Sequence, residues 1–270
     1  MAPAASSAAV PANEPVLLRH DDHGIVTLTL NRPRQYNALS DALLGDLQAQ
    51  LDAIAADPAI RVVVIAGAGP AFCAGHDLKE MRARPEKAYY RDLFQRCSRM
   101  MLTITQMPQP VIARVQGIAT AAGCQLVATC DLAVAAPEAR FATSGINVGL
   151  FCSTPAVALS RNVSEKRAFE MLMTGDFIDA DTALRYGLIN RVAPAAEIDK
   201  LVVDLATRIA GKSAAAVAAG KRLFYCQRDL DLSAAYDLAA ETMACNMMAE
   251  DVGEGIDAFM QKRAPVWKGR

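Results

Sequence analysis

Three short apolar runs most constrain how this chain can fold. The runs at 61–66, 111–115 and 131–135 are mostly apolar, and the first is rich in β-branched residues, as expected of strands buried on both faces of a parallel sheet. Before the first run, apolar residues recur at helical spacing over 43–54. This segment follows Ser40, a favoured N-cap residue, and therefore predicts a helix. Buried strands that alternate with helices predict the α/β class with largely parallel pairing.

The chain divides into three predicted segments. Residues 1–15 are rich in Ala, Pro and Ser and contain no Lys or Arg, so we expect a disordered tail and neither a signal peptide nor a transit peptide. On this basis we expect a cytoplasmic location. Residues 16–194 begin with a predicted hairpin and contain the strands of the core. Residues 195–270 show long helical periods and no strand pattern, which predicts a helical region.

Composition excludes several classes of partner. The chain has 28 Lys and Arg against 29 Asp and Glu, so no basic excess is available to follow a phosphate backbone, and we expect no nucleic-acid partner. No apolar run reaches the roughly 20 residues of a membrane span. The seven cysteines form no C-x-x-C pair and lie at no metal-ligand spacing from a histidine, so we expect no bound metal.

Two glycine-containing junctions have the same design. Segments 72–78 and 117–125 each follow a buried strand and open a helix, where first-turn N–H groups are free donors. Two such junctions on neighbouring strands could direct two N–H groups at one oxygen, polarise a carbonyl and stabilise an enolate. The spacing is equally compatible with tight turns that use small residues for close packing.

Several ordered motifs resemble the crotonase superfamily, the enoyl-CoA hydratase/isomerase family. They are F-C-A-G-H-D-L, P-V-I-A-x-V-x-G, A-A-G-C-Q-L and C-D-L-A-V-A, and the resemblance runs from about residue 16 to Trp267. A-G-H-D-L-K-E and N-V-G-L-F-C-S-T-P are similar to one subgroup in particular. The resemblance implies a crotonase-like spiral of β-β-α turns with a C-terminal helical trimerisation region. It also implies a homotrimer or dimer of trimers and an acyl-CoA thioester ligand, with no cofactor beyond the coenzyme A of the substrate.

By motif position, the resemblance places the two backbone donors for the thioester oxygen at Ala74 and Ala122. Gly75, Asp77 and Leu78 follow in the first junction, where we expect substrate contact.

The positions of the two hydratase glutamates are occupied by Gln125 and Gly145, neither of which can act as a general acid or base. One positioned acid or base contributes about 10²–10⁴-fold in rate, so we expect hydration to be slower by about 10⁴-fold or more.

Four further residues are candidates for a role in catalysis or substrate binding, and each has two interpretations. His76 is either a catalytic group, as in a decarboxylating branch that shares A-G-H-D, or a side chain that caps or packs the next helix. Cys152 is expected to line the acyl end of the pocket rather than to act as a nucleophile, since no histidine partner is identifiable. Phe259 and Lys262 match a region that contacts CoA phosphates across a subunit boundary, or form a solvated helix end.

Three functional hypotheses follow. The first is an acyl-CoA-binding protein, leaning towards an enzyme, that stabilises a thioester enolate but has weak or absent hydratase activity. The second is a decarboxylase or isomerase that uses His76. The third is a CoA-binding regulatory protein without turnover.

Overall fold

The computed structural model describes residues 14–270, so the predicted tail at 1–15 lies almost wholly outside the described residues. The strands are β1 (Leu17–Asp22), β2 (Ile25–Leu30), β3 (Val62–Gly67), β4 (Ala71–Cys73), β5 (Val111–Val115), β6 (Ile118–Thr120), β7 (Leu132–Ala135), β8 (Arg140–Ala142), β9 (Ile178–Asp179) and β10 (Arg191–Val192). The helices are α1 (Asp41–Ala55), α2 (Leu78–Ala83), α3 (Lys87–Gln106), α4 (Ala122–Thr129), α5 (Ser153–Leu159), α6 (Glu165–Thr174), α7 (Ala180–Tyr186), α8 (Ile198–Ala210), α9 (Ala214–Cys226), α10 (Leu232–Met247) and α11 (Glu250–Met260). Short 3₁₀ helices cover Pro33–Gln35, Ser144–Val148 and Gln227–Asp229.

The larger sheet has six strands in the order β1-β2-β3-β5-β7-β10. β1 pairs antiparallel with β2, and every other neighbouring pair is parallel. The hairpin and the three buried strands predicted from the sequence are therefore confirmed. All six residues of β3 are buried, which explains why its sequence shows a continuous apolar run rather than alternation.

The smaller sheet has four strands in the order β4-β6-β8-β9. β4, β6 and β8 each follow a strand of the larger sheet and precede a helix, so each turn of the chain is a β-β-α unit. β4 is a strand that the sequence did not predict. Three residues are too few to show a period, and their extended conformation depends on parallel pairing with β6.

The core lies on both faces of the larger sheet. Between the two sheets and under α1, α3 and α4, the fully buried side chains include Phe72, Phe141, Leu47 and Met100. On the opposite face, α8 covers Val62, Val64, Ile112 and Val134. Burying the larger sheet on both faces fixes the carboxyl ends of its strands, from which the two glycine-containing junctions emerge.

The helix α9 is joined to the core by one buried ammonium group. Nζ of Lys221 donates to the backbone oxygens of Ile104 and Gln109 at 2.7 and 2.8 Å and to Asp131 Oδ2 at 2.7 Å. Tyr225 donates its hydroxyl to the other carboxylate oxygen at 2.8 Å. All three ammonium hydrogens therefore have acceptors, which offsets the cost of burying the charge.

The C-terminal helices carry large apolar side chains that no described residue covers. Those exposed on α9–α11 are Phe224, Tyr236, Met243, Met247, Ile256, Phe259 and Met260, and Leu232 and Met248 at helix ends are exposed as well. Exposed large apolar side chains in such number favour an interaction site on these helices. Within residues 14–270, no helix is both long and apolar enough to cross a membrane.

Candidate active site

The two glycine-containing junctions meet at Gly75. This residue has a φ of +92°, and a Cβ placed on it would lie 3.0 Å from Cβ of Ala121 and 3.3 Å from the backbone nitrogen of Ala122. Glycine is therefore required both by its backbone conformation and by the close approach of α4. The first turn of α4 and the chain segment before α2 are therefore in direct contact.

The first sequence-predicted donor is not free. The N–H of Ala74 donates to the backbone oxygen of Tyr36 at 3.0 Å. A backbone N–H has one hydrogen, so this group cannot also bind a ligand oxygen. The prediction that Ala74 supplies a donor for a thioester oxygen is therefore wrong, because the segment beneath it already uses that N–H.

The next available donor along the chain is His76. Gly75 accepts from the N–H of Leu39 at 2.7 Å, and Asp77 donates to the oxygen of Leu39 at 3.2 Å. Leu39 and His76 thus form a parallel bridge, in which the N–H and C=O of His76 itself face the other way. In the part of the chain that the structure covers, the His76 N–H has no backbone acceptor.

The N–H of Ala122, the other donor that the resemblance implied, has no acceptor among the described residues. Ala122 is the first residue of α4, and no side chain caps this helix within the described residues. The preceding Ala121 has φ +49° and ψ −120°, a conformation that residues with a Cβ rarely adopt and that costs about 1–3 kcal/mol. A hydrogen bond from Ala121 N–H to the oxygen of Ala142 at 3.0 Å holds it there. This strain fixes the direction of the helix end that carries the Ala122 N–H.

A polar segment beneath the site holds the His76 backbone in place. Arg32 donates to Asp77 Oδ2 at 2.8 Å, and Asp77 Oδ1 accepts from the N–H of Lys79 at 3.0 Å, which caps α2. Burial would raise the pKa of Asp77, but the hydrogen bonds from Arg32 and the α2 backbone outweigh it and hold that pKa below its usual value. The sequence analysis did not identify Arg32, and only the carboxylate–arginine pairing across 45 residues reveals its role.

Asn37 completes this support. It is fully buried, its Oδ1 accepts from the N–H of Arg32 at 2.8 Å, and its Nδ2 donates to the oxygens of Ala68 and Ala71 at 2.9 and 2.8 Å. Tyr36 and Asn37 both adopt positive φ angles, a turn that asparagine tolerates better than most residues. The turn brings the oxygen of Tyr36 to Ala74. Sequence reasoning missed both residues.

Gln125 lies one turn after Ala122 on α4 and is only 5% exposed. Its Oε1 is buried without a partner, and its Nε2 donates to no described residue. A neutral amide in this position can hold a hydrogen-bonding group but cannot transfer a proton as a carboxylate does.

The imidazole of His76 is likewise buried and unpartnered. The ring packs edge-on against Phe94 of α3, with 5.4 Å between centroids, and neither nitrogen has a partner among residues 14–270. Burial, assisted by Arg96 and opposed by Asp41, lowers the pKa of His76 to about 4. The ring is therefore neutral at pH 7. Its contact with Phe94 accords with the packing interpretation of the sequence, but Asp77 rather than His76 caps α2.

Gly145 has no room for any side chain. A Cβ there would lie 2.5 Å from the backbone oxygen of Leu150 and 2.8 Å from Sγ of Cys152. The oxygen of Gly145 accepts from the N–H of Leu150 at 3.0 Å, so the chain folds back onto it. Burial raises the pKa of the Cys152 thiol, opposed by the Gly145 N–H. The thiol is therefore protonated at pH 7, which agrees with a lining role rather than nucleophilic attack.

Three other residues that were predicted to bind the substrate are Leu78, Phe259 and Lys262. Leu78 begins α2 with an exposed side chain, and Phe259 on α11 is 85% exposed. Lys262 follows α11 in a left-handed conformation. In the single chain described, α11 contacts the C-terminal residues, as in the pair between Arg263 and Glu254. The expected contact of Phe259 and Lys262 with CoA across a subunit boundary stays a prediction.

Charged groups near the site are paired with each other. Arg96, the cation that acts on His76, binds Asp41 at 2.6 Å and Asp92 at 2.7 Å. Among the described residues, no three His, Cys, Asp or Glu side chains are grouped so as to hold a metal. The site is thus built from backbone donors and uncharged side chains.

Comparison with known proteins agrees with this architecture. The sequence model described as enoyl-CoA hydratase/isomerase matches residues 20–270. Enoyl-CoA hydratase domain-containing protein 3, mitochondrial, of Rattus norvegicus is 48% identical over 267 residues, which are 98% of this chain and 89% of the relative. This is the subgroup whose motifs the sequence resembles, and that prediction is confirmed.

Solved structures show the same fold. The crystal structure of an enoyl-CoA hydratase from Mycobacterium smegmatis is 58% identical and superposes with a TM-score of 0.92, covering 94% of this chain and 99% of that one. The structure of human enoyl-CoA hydratase domain-containing protein 3 is 46% identical with a TM-score of 0.91, covering 93% and 100%. The predicted α/β class and crotonase-like spiral are confirmed.

The expected cytoplasmic location is contradicted. Relatives from rat, mouse and human, each 48% identical to this chain, are named mitochondrial. The expectation depended on the absence of Lys and Arg from residues 1–15, and this local composition was an insufficient basis for it.

Proposed function

Because the chain belongs to the enoyl-CoA hydratase/isomerase family, we propose that it binds an acyl-CoA thioester with the thioester oxygen between the N–H groups of His76 and Ala122. The observation that carries the proposal is that two N–H groups without an acceptor among the described residues lie on segments that meet at Gly75. Their direction is set by main-chain hydrogen bonds and by the strained Ala121, so they need no reorganisation when charge develops on the oxygen.

In this arrangement the two N–H groups polarise the thioester carbonyl. Negative charge that develops on its oxygen, as in an enolate, is stabilised by donors held in a site of low polarity. Removal of one such donor costs about 10²–10³ in rate in well-studied enzymes. We propose this stabilisation as the shared step of whatever reaction the site supports.

Efficient hydration of an enoyl-CoA is not part of the proposal. Water addition needs a group that removes a proton from water and a group that returns one to carbon. Gln125 offers a neutral amide and Gly145 no side chain. His76, with its pKa lowered to about 4, is a weak base. We therefore expect hydration slower by about 10⁴-fold than with both acids present.

The remaining alternatives are less well supported. A decarboxylase for a malonyl-type thioester needs a cation for the departing carboxylate, and Arg96, the cation that acts on His76, is already bound by Asp41 and Asp92. A CoA-binding protein without turnover would use the same two donors, so only product analysis separates it from a slow enzyme.

The test is infrared spectroscopy of butyryl-CoA labelled with ¹³C at the thioester carbonyl. Binding to the protein should move the carbonyl stretch to lower frequency, because hydrogen bonds weaken the C=O bond. Ala122→Pro removes one donor at the first helical position, which proline tolerates, and should abolish most of this shift. Ala214→Pro, at the first position of α9, is the matched control and should retain it.

Two results would contradict the proposal. One is a bound thioester whose stretch does not move, and the other is a shift that persists in Ala122→Pro. A parallel assay with crotonyl-CoA tests the expected weakness of hydration, which would be refuted by turnover within tenfold of an ordinary hydratase.

We propose further that the chain assembles as a homotrimer or a dimer of trimers. The exposed apolar residues of α9–α11 support an interface between copies. Such an assembly would allow Phe259 and Lys262 of one copy to approach the CoA bound by another.

A further inference from the structure

A cavity of about 400 Å³ lies at the end of the larger sheet away from the candidate active site. Ile60 and Gln109 line it and come shortly before β3 and β5, so it lies at the amino ends of these strands. The two glycine-containing junctions, in contrast, follow the carboxyl ends. Residues of α8, of α9 and of the C-terminal segment complete the wall. The volume is within the range of roughly 300–1,000 Å³ that small-molecule sites occupy.

The C-terminal part of this wall is held in place by hydrogen bonds. Trp267 donates its indole N–H to the backbone oxygen of Gly211 at 2.9 Å. The buried carboxylate of Asp251 accepts from the backbone N–H groups of Lys268 and Gly269 at 2.6 and 3.0 Å. Trp267, Lys268 and Gly269 all line the cavity, so these bonds give it a defined wall on this side.

Arg61 is a cation on the wall that has no ion pair among residues 14–270. Its guanidinium donates to the backbone oxygen of Lys212, which leaves most of its five N–H groups for another acceptor. Asp251 senses the charge of Arg61, but its two oxygens already accept from the backbone N–H groups described above. Lys268, the other cation on the wall, is paired with Glu250 at 3.1 Å. Arg61 is therefore the cation that an anionic ligand in this cavity would pair with.

Most of the lining residues are apolar. Ile60, Val217 and Trp267 line the cavity together with several Ala and Pro residues. Such a wall favours a ligand with a hydrocarbon body, because contact with it removes apolar surface from water. The combination of this wall with the guanidinium of Arg61 fits an amphipathic anion.

We infer that this cavity binds a monocarboxylic acid whose carboxylate pairs with Arg61 and whose alkyl or aryl body, of about eight carbons, lies against Trp267. Arginine and a carboxylate can form two parallel N–H···O bonds, which give such a pair both strength and a fixed geometry. The cavity shares no residue with the proposed thioester site, so this inference does not depend on the proposed function.

Other ligand classes fit the cavity less well. An alkylamine brings a second positive charge near Arg61 and is repelled. Inorganic phosphate can bind a guanidinium but leaves the apolar lining uncovered, and an alcohol of the same length covers the lining but forms no ion pair. These three compounds therefore separate the contribution of the charge from that of the hydrocarbon body.

The experiment is a fluorescence titration of the full-length protein with octanoate, octan-1-ol, octylamine and inorganic phosphate. Trp267 is the single tryptophan of the chain and lines the cavity, so its emission reports on a ligand bound there. Octanoate should change this emission saturably and bind at least about tenfold more tightly than octan-1-ol, the ratio expected of a hydrogen-bonded ion pair.

Substitutions test the two halves of the site separately. Arg61→Met should lower the affinity for octanoate to that for octan-1-ol, whereas Arg61→Lys keeps the charge and should retain most of the preference. Ala218→Phe places a ring in the cavity and should weaken binding of both compounds. Arg208→Met is the matched control, because Arg208 is an exposed arginine of α8 that does not line the cavity. It should leave both affinities unchanged.

The absence of a saturable change with octanoate would overturn the inference, and so would equal affinities for octanoate and octan-1-ol. A preference for octanoate that survives Arg61→Met, or tightest binding of octylamine or phosphate, would overturn it as well. Thermal unfolding shows whether each variant folds. If Arg61→Met does not fold, Arg61→Gln takes its place, and undiminished octanoate binding by Ala218→Phe would still refute the cavity as the site.

Discussion

At the scale of single residues, the site depends on which backbone groups are already occupied. Ala74 and His76 are two positions apart, yet the N–H of Ala74 donates to Tyr36 whereas the N–H of His76 points away from Leu39 and has no backbone acceptor among the described residues. The ring of His76 is buried against Phe94. One residue thus has both a main-chain N–H without a backbone acceptor among the described residues and a buried ring that is uncharged at pH 7.

Restoring the missing acids should not restore hydration. In Gly145→Glu, the new Cβ would lie 2.5 Å from the oxygen of Leu150, so we expect the free energy of unfolding to fall by about 1–3 kcal/mol. The double variant with Gln125→Glu should hydrate crotonyl-CoA no more than tenfold faster than wild type. Chemical denaturation and a spectrophotometric hydration assay measure both effects.

Gly45→Glu is the matched control, because nothing lies within 4 Å of a Cβ at that position on α1. It should fold with unchanged or higher stability, since glutamate is the better helix former. A stable double variant with activity more than a hundredfold above wild type would show that the 145–150 turn opens readily.

The buried His76 ring should make stability depend on pH. Burial lowers its pKa to about 4 from an ordinary 6.5, so between these values the unfolded chain binds a proton that the folded chain does not. Stability therefore falls as the pH falls through this window. Between pH 7.5 and 4.5, the wild type should lose about 2–3 kcal/mol more than His76→Phe. Urea unfolding at the two pH values measures it, and parallel losses in the two proteins would argue against a buried neutral ring.

At the scale of helices and strands, the sequence predicted what local patterns determine. The apolar runs of β3, β5 and β7 and the period of α1 after Ser40 depend on neighbouring residues, and the structure contains them at the expected positions. β4 was not predicted, because three residues are too few to show a period. The hydrogen bond from Ala74 to Tyr36 could not be predicted, because it joins residues that are 38 positions apart. It also depends on a turn with two left-handed residues. The crowding at Gly145 likewise depends on how residues 145–152 fold back.

The attachment of α9 to the core should depend strongly on Lys221. Lys221→Met leaves the carboxylate of Asp131 buried without its cation, and we expect a loss of about 3–5 kcal/mol in unfolding free energy. Adding Asp131→Asn removes the uncompensated charge and should recover at least about 1 kcal/mol. Denaturant unfolding of the single and double variants gives both values. A single variant that loses less than about 1 kcal/mol would mean that α9 is held by other contacts.

At the scale of the whole molecule, the chain presents an apolar face that a single copy does not bury. Met248 is 86% exposed and Phe259 85% exposed, far more than isolated surface residues of this type require. These residues lie on the helices that follow the last strand, outside the β-β-α spiral.

We expect the protein to have the mass of three or six chains in solution. Met248→Glu with Phe259→Glu should reduce it to one chain, because charges at an apolar interface are costly to bury. Leu18→Glu, on the exposed side of β1, should leave the assembly intact. Light scattering coupled to size-exclusion chromatography measures the mass, and a wild type that elutes as a single chain would contradict the expected assembly.

The main-chain origin of the two donors has a consequence for how such a chain changes over generations. A point mutation to any residue other than proline leaves the N–H groups of His76 and Ala122 where the backbone holds them, whereas the acids of a hydratase are lost by one codon change each. The capacity to polarise a thioester is therefore inherited more durably than any one reaction that uses it. A lineage can abandon water addition, keep the polarising pair and acquire a new specificity by changing only the residues that face the acyl chain.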